Sequence, residues 1–213
     1  MMAIKVIVFD FDGTLVESNQ LKYDAYFELF PKDEYHERII RDVLAKSFEE
    51  SRYSILEKIL REIDEGAKGL EERVKIVANR YNDIVLQGAK TCPECPGAER
   101  LLQQLSARYP FYLSSTTPEE ALCEIIRFRR WTGYFKDIFG YPGKKQATLR
   151  NIINKEQIDP SQVLVVGDGE SDKVSAEKVG CGFFDVRDKP LLALQPHLLW
   201  TPSDVTQTFA SVK

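Results

Sequence analysis

The sequence predicts an α/β fold, a doubly wound parallel sheet with an all-helical block inserted near its start. Short apolar runs typical of buried strands, such as residues 3–9 and 163–166, alternate with helical segments over much of the chain. Strands that alternate with helices form a parallel sheet covered on both faces. From about residue 19 to residue 87 the apolar residues recur only at helical spacing, so a helical block follows the first strand.

Within the helical block, two amphipathic stretches are separated by Gly66 and Gly69. The first includes residues 56–63 and the second residues 70–84, and in each the apolar side chains recur on one helix face. A block of this size is comparable to a small helical subdomain. We therefore assign residues 17–91 to a helical subdomain, and residues 1–16 and 92–213 to one α/β core.

After the block, the pattern predicts alternating helices and strands. The predicted elements are a helix at 98–108, a strand at 111–113, a helix from 117, a strand at 137–139, a helix at 145–154, a strand at 163–166, a helix at 171–179, and strands at 182–186 and 197–200. Thr117 is expected to be an N-cap, with Pro118 and Glu120 completing a capping box. Gly180 is expected to end the helix before it.

The composition is that of a soluble globular protein. Of 213 residues, 43% are hydrophobic and 29% are charged, and the net charge is −4 with both signs interspersed. This charge distribution does not favour nucleic acid or an anionic membrane as a partner. No apolar run has the length of a membrane span, and the N-terminus lacks the pattern of a signal peptide. We expect a cytoplasmic protein.

The cysteines do not form a recognisable metal or redox site. Cys92 and Cys95 are spaced as a CxxC pair, but a zinc site needs two further ligands at suitable spacing. The two histidines, His36 and His197, lie outside any paired motif. We expect the pair to be ordinary thiols in a proline-containing connection.

Two acidic clusters follow apolar strands. Asp10 and Asp12 follow the first strand and precede Gly13, which lets the backbone turn. Asp168 and Asp172 follow the strand at 163–166. Because ligands of open parallel sheets bind at the carboxyl ends of the strands, the two clusters are expected to meet there. A hard divalent cation such as Mg²⁺ would relieve the repulsion between the carboxylates.

These motifs identify a family resemblance. The stretch Asp10-Phe11-Asp12-Gly13-Thr14-Leu15 resembles the DxDGT signature of the haloacid dehalogenase-like (HAD) hydrolases, and Gly167-Asp168-Gly169-Glu170-Ser171-Asp172 resembles their GDxxxD signature. The helical block resembles the cap that one subclass inserts after the first motif. The resemblance implies a Rossmann-like core and the phosphatase branch of the family.

The resemblance also implies two intermediate motifs. One is a Ser or Thr that ends a central strand, for which Ser115 is a better candidate than Ser114. The other is a lysine before a later helix. Lys145 is favoured over Lys144 because Leu149 then follows at the family's spacing, although other members carry Lys-Pro here and the choice stays open.

The implied roles follow from phosphoryl-transfer chemistry, which depends mainly on positioning and charge compensation. Asp10, with an ordinary carboxyl pKa, is expected to attack phosphorus and form an aspartyl-phosphate. Asp12 is expected to act as general acid and then general base. The implied Mg²⁺ ligands are Asp10, the backbone carbonyl of Asp12, Asp168 and Asp172, and the implied phosphate-binding residues are Ser115, Thr116 and Lys145.

The resemblance implies hydrolysis of a small-molecule phosphate monoester, and three alternatives differ from it in the residues that they need. A dehalogenase needs neither Asp12 nor the metal site. A hexose-phosphate mutase carries a histidine twelve residues after the nucleophile, where this chain has Lys22. A non-catalytic phosphate-binding or receiver-like module would be shorter and would lack the helical block. Sugar phosphates, phosphoglycolate and nucleoside monophosphates all remain open as substrates, and the oligomeric state is not predicted.

Overall fold

The structure, a computed structural model, describes residues 3–47, 50–64, 66, 68–194 and 198. The chain divides into two compact units. One unit comprises Met1–Glu17 with Cys92–Lys213, and the other comprises Ser18–Thr91. No helix in the described part of the chain is both long and apolar enough to cross a membrane.

The unit Ser18–Thr91 is helical. Its helices are α1 (Asn19–Glu28), α2 (Glu34–Lys46), α3 (Arg52–Ile63) and α4 (Leu70–Thr91). Helices α2 and α3 begin at side-chain caps, because Asp33 accepts a hydrogen bond from the His36 N–H at 3.0 Å and Ser51 accepts one from the Ser54 N–H at 3.2 Å. Apolar faces of all four helices pack into one core, which includes the fully buried Leu56.

In the other unit, the described residues form a five-stranded parallel sheet with the strand order β3-β2-β1-β4-β5. Its strands are β1 (Val6–Phe9), β2 (Phe111–Pro118), β3 (Phe135–Tyr141), β4 (Val163–Gly167) and β5 (Gly182–Asp185). Its helices are α5 (Ala98–Leu105), α6 (Glu119–Phe128), α7 (Lys145–Glu156) and α8 (Glu170–Val179). The predicted α/β class with a parallel, Rossmann-like sheet is confirmed.

The central strand β1 explains the continuous apolar run near the start of the chain. All four of its side chains are buried, as expected for a parallel strand covered on both faces. Val6 and Val8 pack on one face, in a cluster with Leu149 of α7 and Ala176 of α8. This packing fixes the carboxyl end of β1 beside the carboxyl end of β4, where Phe9 pairs with Val166.

The start of α6 differs from the prediction. Strand β2 extends to Pro118, well beyond the predicted end at residue 113, and α6 begins only at Glu119. The predicted capping box is wrong, since the N-cap is Pro118 and has no side-chain cap bond. Thr117 lies in β2 and its hydroxyl donates to Asp12. The predicted strand at 197–200 lies outside the described residues except for Leu198.

Candidate active site

The first acidic cluster lies at the carboxyl end of β1. The Asp10 N–H donates to the carbonyl oxygen of Val166 at 2.8 Å, so this residue stays in register with β4. The chain then turns at Gly13, whose φ of 72° is in the region that favours glycine. The side chains of Asp10 and Asp12 are both buried.

The second cluster lies at the carboxyl end of β4. Asp168 follows the last residue of the strand, and Asp172 lies in the first turn of α8 with 2% of its surface exposed. The helix comes so close that a Cβ on Gly167 would lie 2.7 Å from the Asp172 carboxyl carbon. A side chain at the end of this strand would therefore displace the Asp172 carboxyl group from its position.

The two clusters converge. Carboxylate oxygens of Asp10, Asp168 and Asp172 all lie within 4.8 Å of one another. The Thr14 hydroxyl also joins the two strand ends, because it donates to Asp168 at 3.4 Å. Acids from distant parts of the sequence therefore share one site at the carboxyl edge of the sheet, the edge at which such folds bind ligands.

A lysine from α7 compensates the acidic charge. The Lys145 ammonium donates to Asp10 Oδ1 at 2.9 Å and to Asp172 Oδ1 at 2.7 Å, and its side chain is 11% exposed. Lys144, the other candidate in the sequence, is exposed at the N-cap position of α7. The geometry therefore places Lys145 and not Lys144 among the carboxylates.

Burial controls the titration of this site. It raises the pKa of Asp10 to about 7, with Lys145 opposing the rise and the neighbouring carboxylates adding to it. The pKa of Asp172 is raised by the same cause, again against Lys145. Burial opposes the charge on Lys145, but the two carboxylates outweigh it and raise the lysine pKa. The pKa of Asp10 therefore differs from the ordinary value that we expected from sequence, because sequence does not reveal desolvation.

Strand β2 supplies hydroxyl groups to Asp12. Ser115 Oγ donates to Asp12 Oδ2 at 3.2 Å, and Thr117 Oγ1 donates to the same oxygen at 2.8 Å. Thr116, between them, points the other way and is exposed. Sequence reasoning missed Thr117 as a site residue, although its alternation with Ser115 in a longer strand would have placed both on one face.

The carboxylates suit a hard divalent cation. Asp172 Oδ2 is buried and has no hydrogen-bond partner in the described structure. A buried carboxylate oxygen normally has a partner, and a cation bound among these carboxylates would supply one. The possible ligands from Asp10, Asp168 and Asp172 are all oxygens, which is the donor set that Mg²⁺ prefers.

Comparisons with known proteins identify the family of this chain. A family model described as haloacid dehalogenase-like hydrolase matches residues 4–180. A phosphoglycolate phosphatase from Vibrio parahaemolyticus is 25% identical over 212 residues, covering 92% of this chain and 91% of its own. One from Aquifex aeolicus is 26% identical over 185 residues, covering 83% and 82%.

A magnesium-bound crystal structure of a candidate HAD hydrolase from Bacillus subtilis has a similar fold. The TM-score is 0.70 at 16% identity, with 92% of this chain and 99% of that chain covered. The family match covers most of the chain, and the predicted resemblance and enzyme class are confirmed. The chain therefore belongs to the haloacid dehalogenase-like hydrolases, in the phosphatase branch of that family.

Proposed function

We propose that this protein hydrolyses a small-molecule phosphate monoester in a Mg²⁺-dependent reaction that passes through an aspartyl-phosphate on Asp10. The observation that supports this most directly is the convergence of Asp10, Asp168 and Asp172 within 4.8 Å, with Lys145 in contact with two of them. The proposed nucleophile, the proposed metal ligands and the lysine ammonium would thus act together at the carboxyl edge of the sheet, as phosphoryl transfer requires.

In the first half-reaction, a carboxylate oxygen of Asp10 forms a bond to phosphorus. The bond from phosphorus to the ester oxygen breaks, and its electron pair goes to the departing alcohol. Asp12 donates a proton to that alcohol. Lys145, 2.9 Å from Asp10 Oδ1, is placed to compensate negative charge on Asp10 and on the phosphoryl oxygens.

In the second half-reaction, water attacks the phosphorus of the aspartyl-phosphate and gives a proton to Asp12. The bond from phosphorus to Asp10 breaks, which restores the carboxylate and releases inorganic phosphate. Ser115 and the backbone N–H of Thr116 are proposed to bind phosphoryl oxygens in both steps, since both lie at the carboxyl end of β2.

The proposed Mg²⁺ ligands are the side chains of Asp10, Asp168 and Asp172 and the backbone carbonyl of Asp12. When bound, Mg²⁺ would neutralise charge on the phosphoryl oxygens and favour the ionised form of Asp10. The unpartnered oxygen of Asp172 supports this assignment. The division into a catalytic core of residues 1–16 and 92–213 and a cap of residues 17–91 is also proposed.

Phosphoglycolate is the first ester to test, because the curated relatives named above are phosphoglycolate phosphatases. The protein should be assayed for phosphate release from phosphoglycolate, glucose 6-phosphate, adenosine monophosphate and p-nitrophenyl phosphate, with Mg²⁺ and with EDTA. We expect hydrolysis with Mg²⁺ and a loss of at least about 100-fold in EDTA.

The nucleophile is tested by Asp10→Asn, which should abolish turnover. Asp137→Asn is the matched control, because Asp137 carries the same group in an exposed ion pair with Lys155. Equal activity of Asp10→Asn and the natural protein would refute the covalent route. Isomerisation of a hexose phosphate faster than any hydrolysis would indicate a mutase instead.

A further inference from the structure

Asp12 accepts two hydroxyl hydrogen bonds on a single oxygen. Thr117 Oγ1 lies 2.8 Å from Asp12 Oδ2 and Ser115 Oγ lies 3.2 Å from it, and all three side chains are buried. A serine or threonine hydroxyl carries only one proton. Ser115 therefore cannot donate to Asp12 and to a phosphoryl oxygen at the same time.

The backbone of Thr117 fixes the Ser115 oxygen without using its proton. The Thr117 N–H donates to Ser115 Oγ at 3.1 Å, so it occupies a lone pair of that oxygen. The proton of Ser115 can then turn from Asp12 to another acceptor. The Thr117 hydroxyl has the shorter bond to Asp12, at the usual distance for this kind of hydrogen bond.

We propose that Thr117 is a positioning residue that holds Asp12 for proton transfer, which leaves Ser115 to bind the phosphoryl group. This inference rests on the proposed function. Because Oδ2 accepts the hydroxyl bond, the transferred proton is carried by the other oxygen, Oδ1. The Thr117 hydroxyl thus fixes the rotation of the carboxyl group and the oxygen that faces the departing alcohol.

The test separates esters by their need for a general acid. p-Nitrophenolate is a stable anion that leaves without a proton, whereas the alkyl esters of the panel release an alkoxide that needs one. The parameter to compare is kcat/KM, since it reports phosphoryl transfer to Asp10 and not the later hydrolysis. The variants are Thr117→Val, which keeps the shape and removes the donor, and Thr117→Ser, which restores a hydroxyl.

Thr117→Val should lower kcat/KM about 10-fold or more for the fastest alkyl ester, which is part of the usual contribution of general acid–base catalysis. For p-nitrophenyl phosphate, kcat/KM should fall less than about 3-fold. Thr117→Ser should recover most of the loss. Ser114→Ala is the matched control, because Ser114 is a buried hydroxyl in β2 next to Ser115, and alternation places its side chain on the other face. Ser114→Ala should lower kcat/KM equally for the alkyl ester and for p-nitrophenyl phosphate, or should leave both unchanged.

An equal fall for both esters in Thr117→Val, or no fall, would overturn the inference while leaving the proposed function intact. Failure of Thr117→Ser to recover activity would also overturn it. If the natural protein released no phosphate from any ester, the proposed function would fail and this inference with it. Thermal unfolding of each variant with Mg²⁺ shows whether a loss of activity reflects a loss of folded protein.

Discussion

At the scale of single residues, burial and the charge of Lys145 have opposite effects on the ionisation of Asp10 and Asp172. Asp10 and Asp172 are both buried, which alone would keep them neutral. Lys145 contacts both and favours their ionised forms. A buried charge that loses its partner is costly, so this lysine should matter for stability as well as for catalysis.

Lys145→Met should lower kcat/KM at least about 100-fold, because charge on the phosphoryl group is no longer compensated. It should also lower the free energy of unfolding at pH 8, by about 3 kcal/mol in EDTA, because two buried carboxylates lose their cation. Lys144→Met is the matched control, since Lys144 is exposed one residue earlier. Equal effects of the two substitutions in the assay and in denaturant unfolding would contradict the role of Lys145.

The raised pKa of Asp10 predicts a pH dependence of stability. Its pKa is about 7 in the folded protein, above the ordinary value of 3.8. The folded protein therefore favours the protonated form of Asp10. The contribution of this group to the free energy of unfolding is complete below the ordinary pKa and is lost as the pH rises through about 7.

In EDTA, the free energy of unfolding should fall between pH 5 and pH 8 by about 2 kcal/mol more for the natural protein than for Asp10→Asn, which cannot ionise at this position. Urea unfolding at the two pH values measures this difference. Added Mg²⁺ should stabilise the natural protein more at pH 8 than at pH 5, because protons compete with the metal for the carboxylate. Parallel pH profiles for the two proteins would be the opposite result.

At the scale of elements, the site depends on where strands end and helices begin. Asp168 and Asp172 meet Asp10 because β4 ends beside β1 and α8 starts directly after it. The close approach of α8 leaves no room for a side chain at Gly167. The strand–turn–helix junction thus sets the position of the metal-ligand carboxylate.

Gly167→Ala should weaken Mg²⁺ binding about 10-fold or more, since the added methyl group would lie 2.7 Å from the Asp172 carboxyl carbon and displace it. The measurement is the Mg²⁺ concentration that gives half-maximal activity. Gly133→Ala serves as the control, because nothing lies within 4 Å of a Cβ built at that exposed position. Equal Mg²⁺ dependence of both variants would show that Gly167 has no such role.

Some boundaries of the strands and helices could be predicted from sequence and others could not. Apolar runs and glycines located the strands β1 and β4 and the end of α8 at Gly180, which has a φ of 88°. The length of β2 was missed because Ser114–Pro118 is polar, and its pairing with β3 is a long-range contact. The capping box failed for the same reason, since Thr117 is buried in the strand and bonds Asp12 instead.

At the scale of the whole molecule, the order of the motifs along the chain predicted where the site lies. It did not predict the pKa values of the buried carboxylates. The two acidic clusters could be predicted to meet because both follow strands of one parallel sheet. Neither the raised pKa of Asp10 nor the unpartnered oxygen of Asp172 could be predicted, because both depend on packing around the site. The helical unit Ser18–Thr91 forms its own core, which is consistent with a separately folded insertion.

The central claim is that carboxylates from two distant parts of the sequence bind one Mg²⁺ ion. Calorimetric titration with Mg²⁺ at pH 8 tests it on the natural protein, on Asp10→Asn and Asp172→Asn, and on the double variant. We predict one ion per chain, a loss of at least about 10-fold in affinity for each single variant, and a double variant that is less impaired than the product of the two single losses. Unchanged binding in either single variant, or two independent sites, would contradict the account.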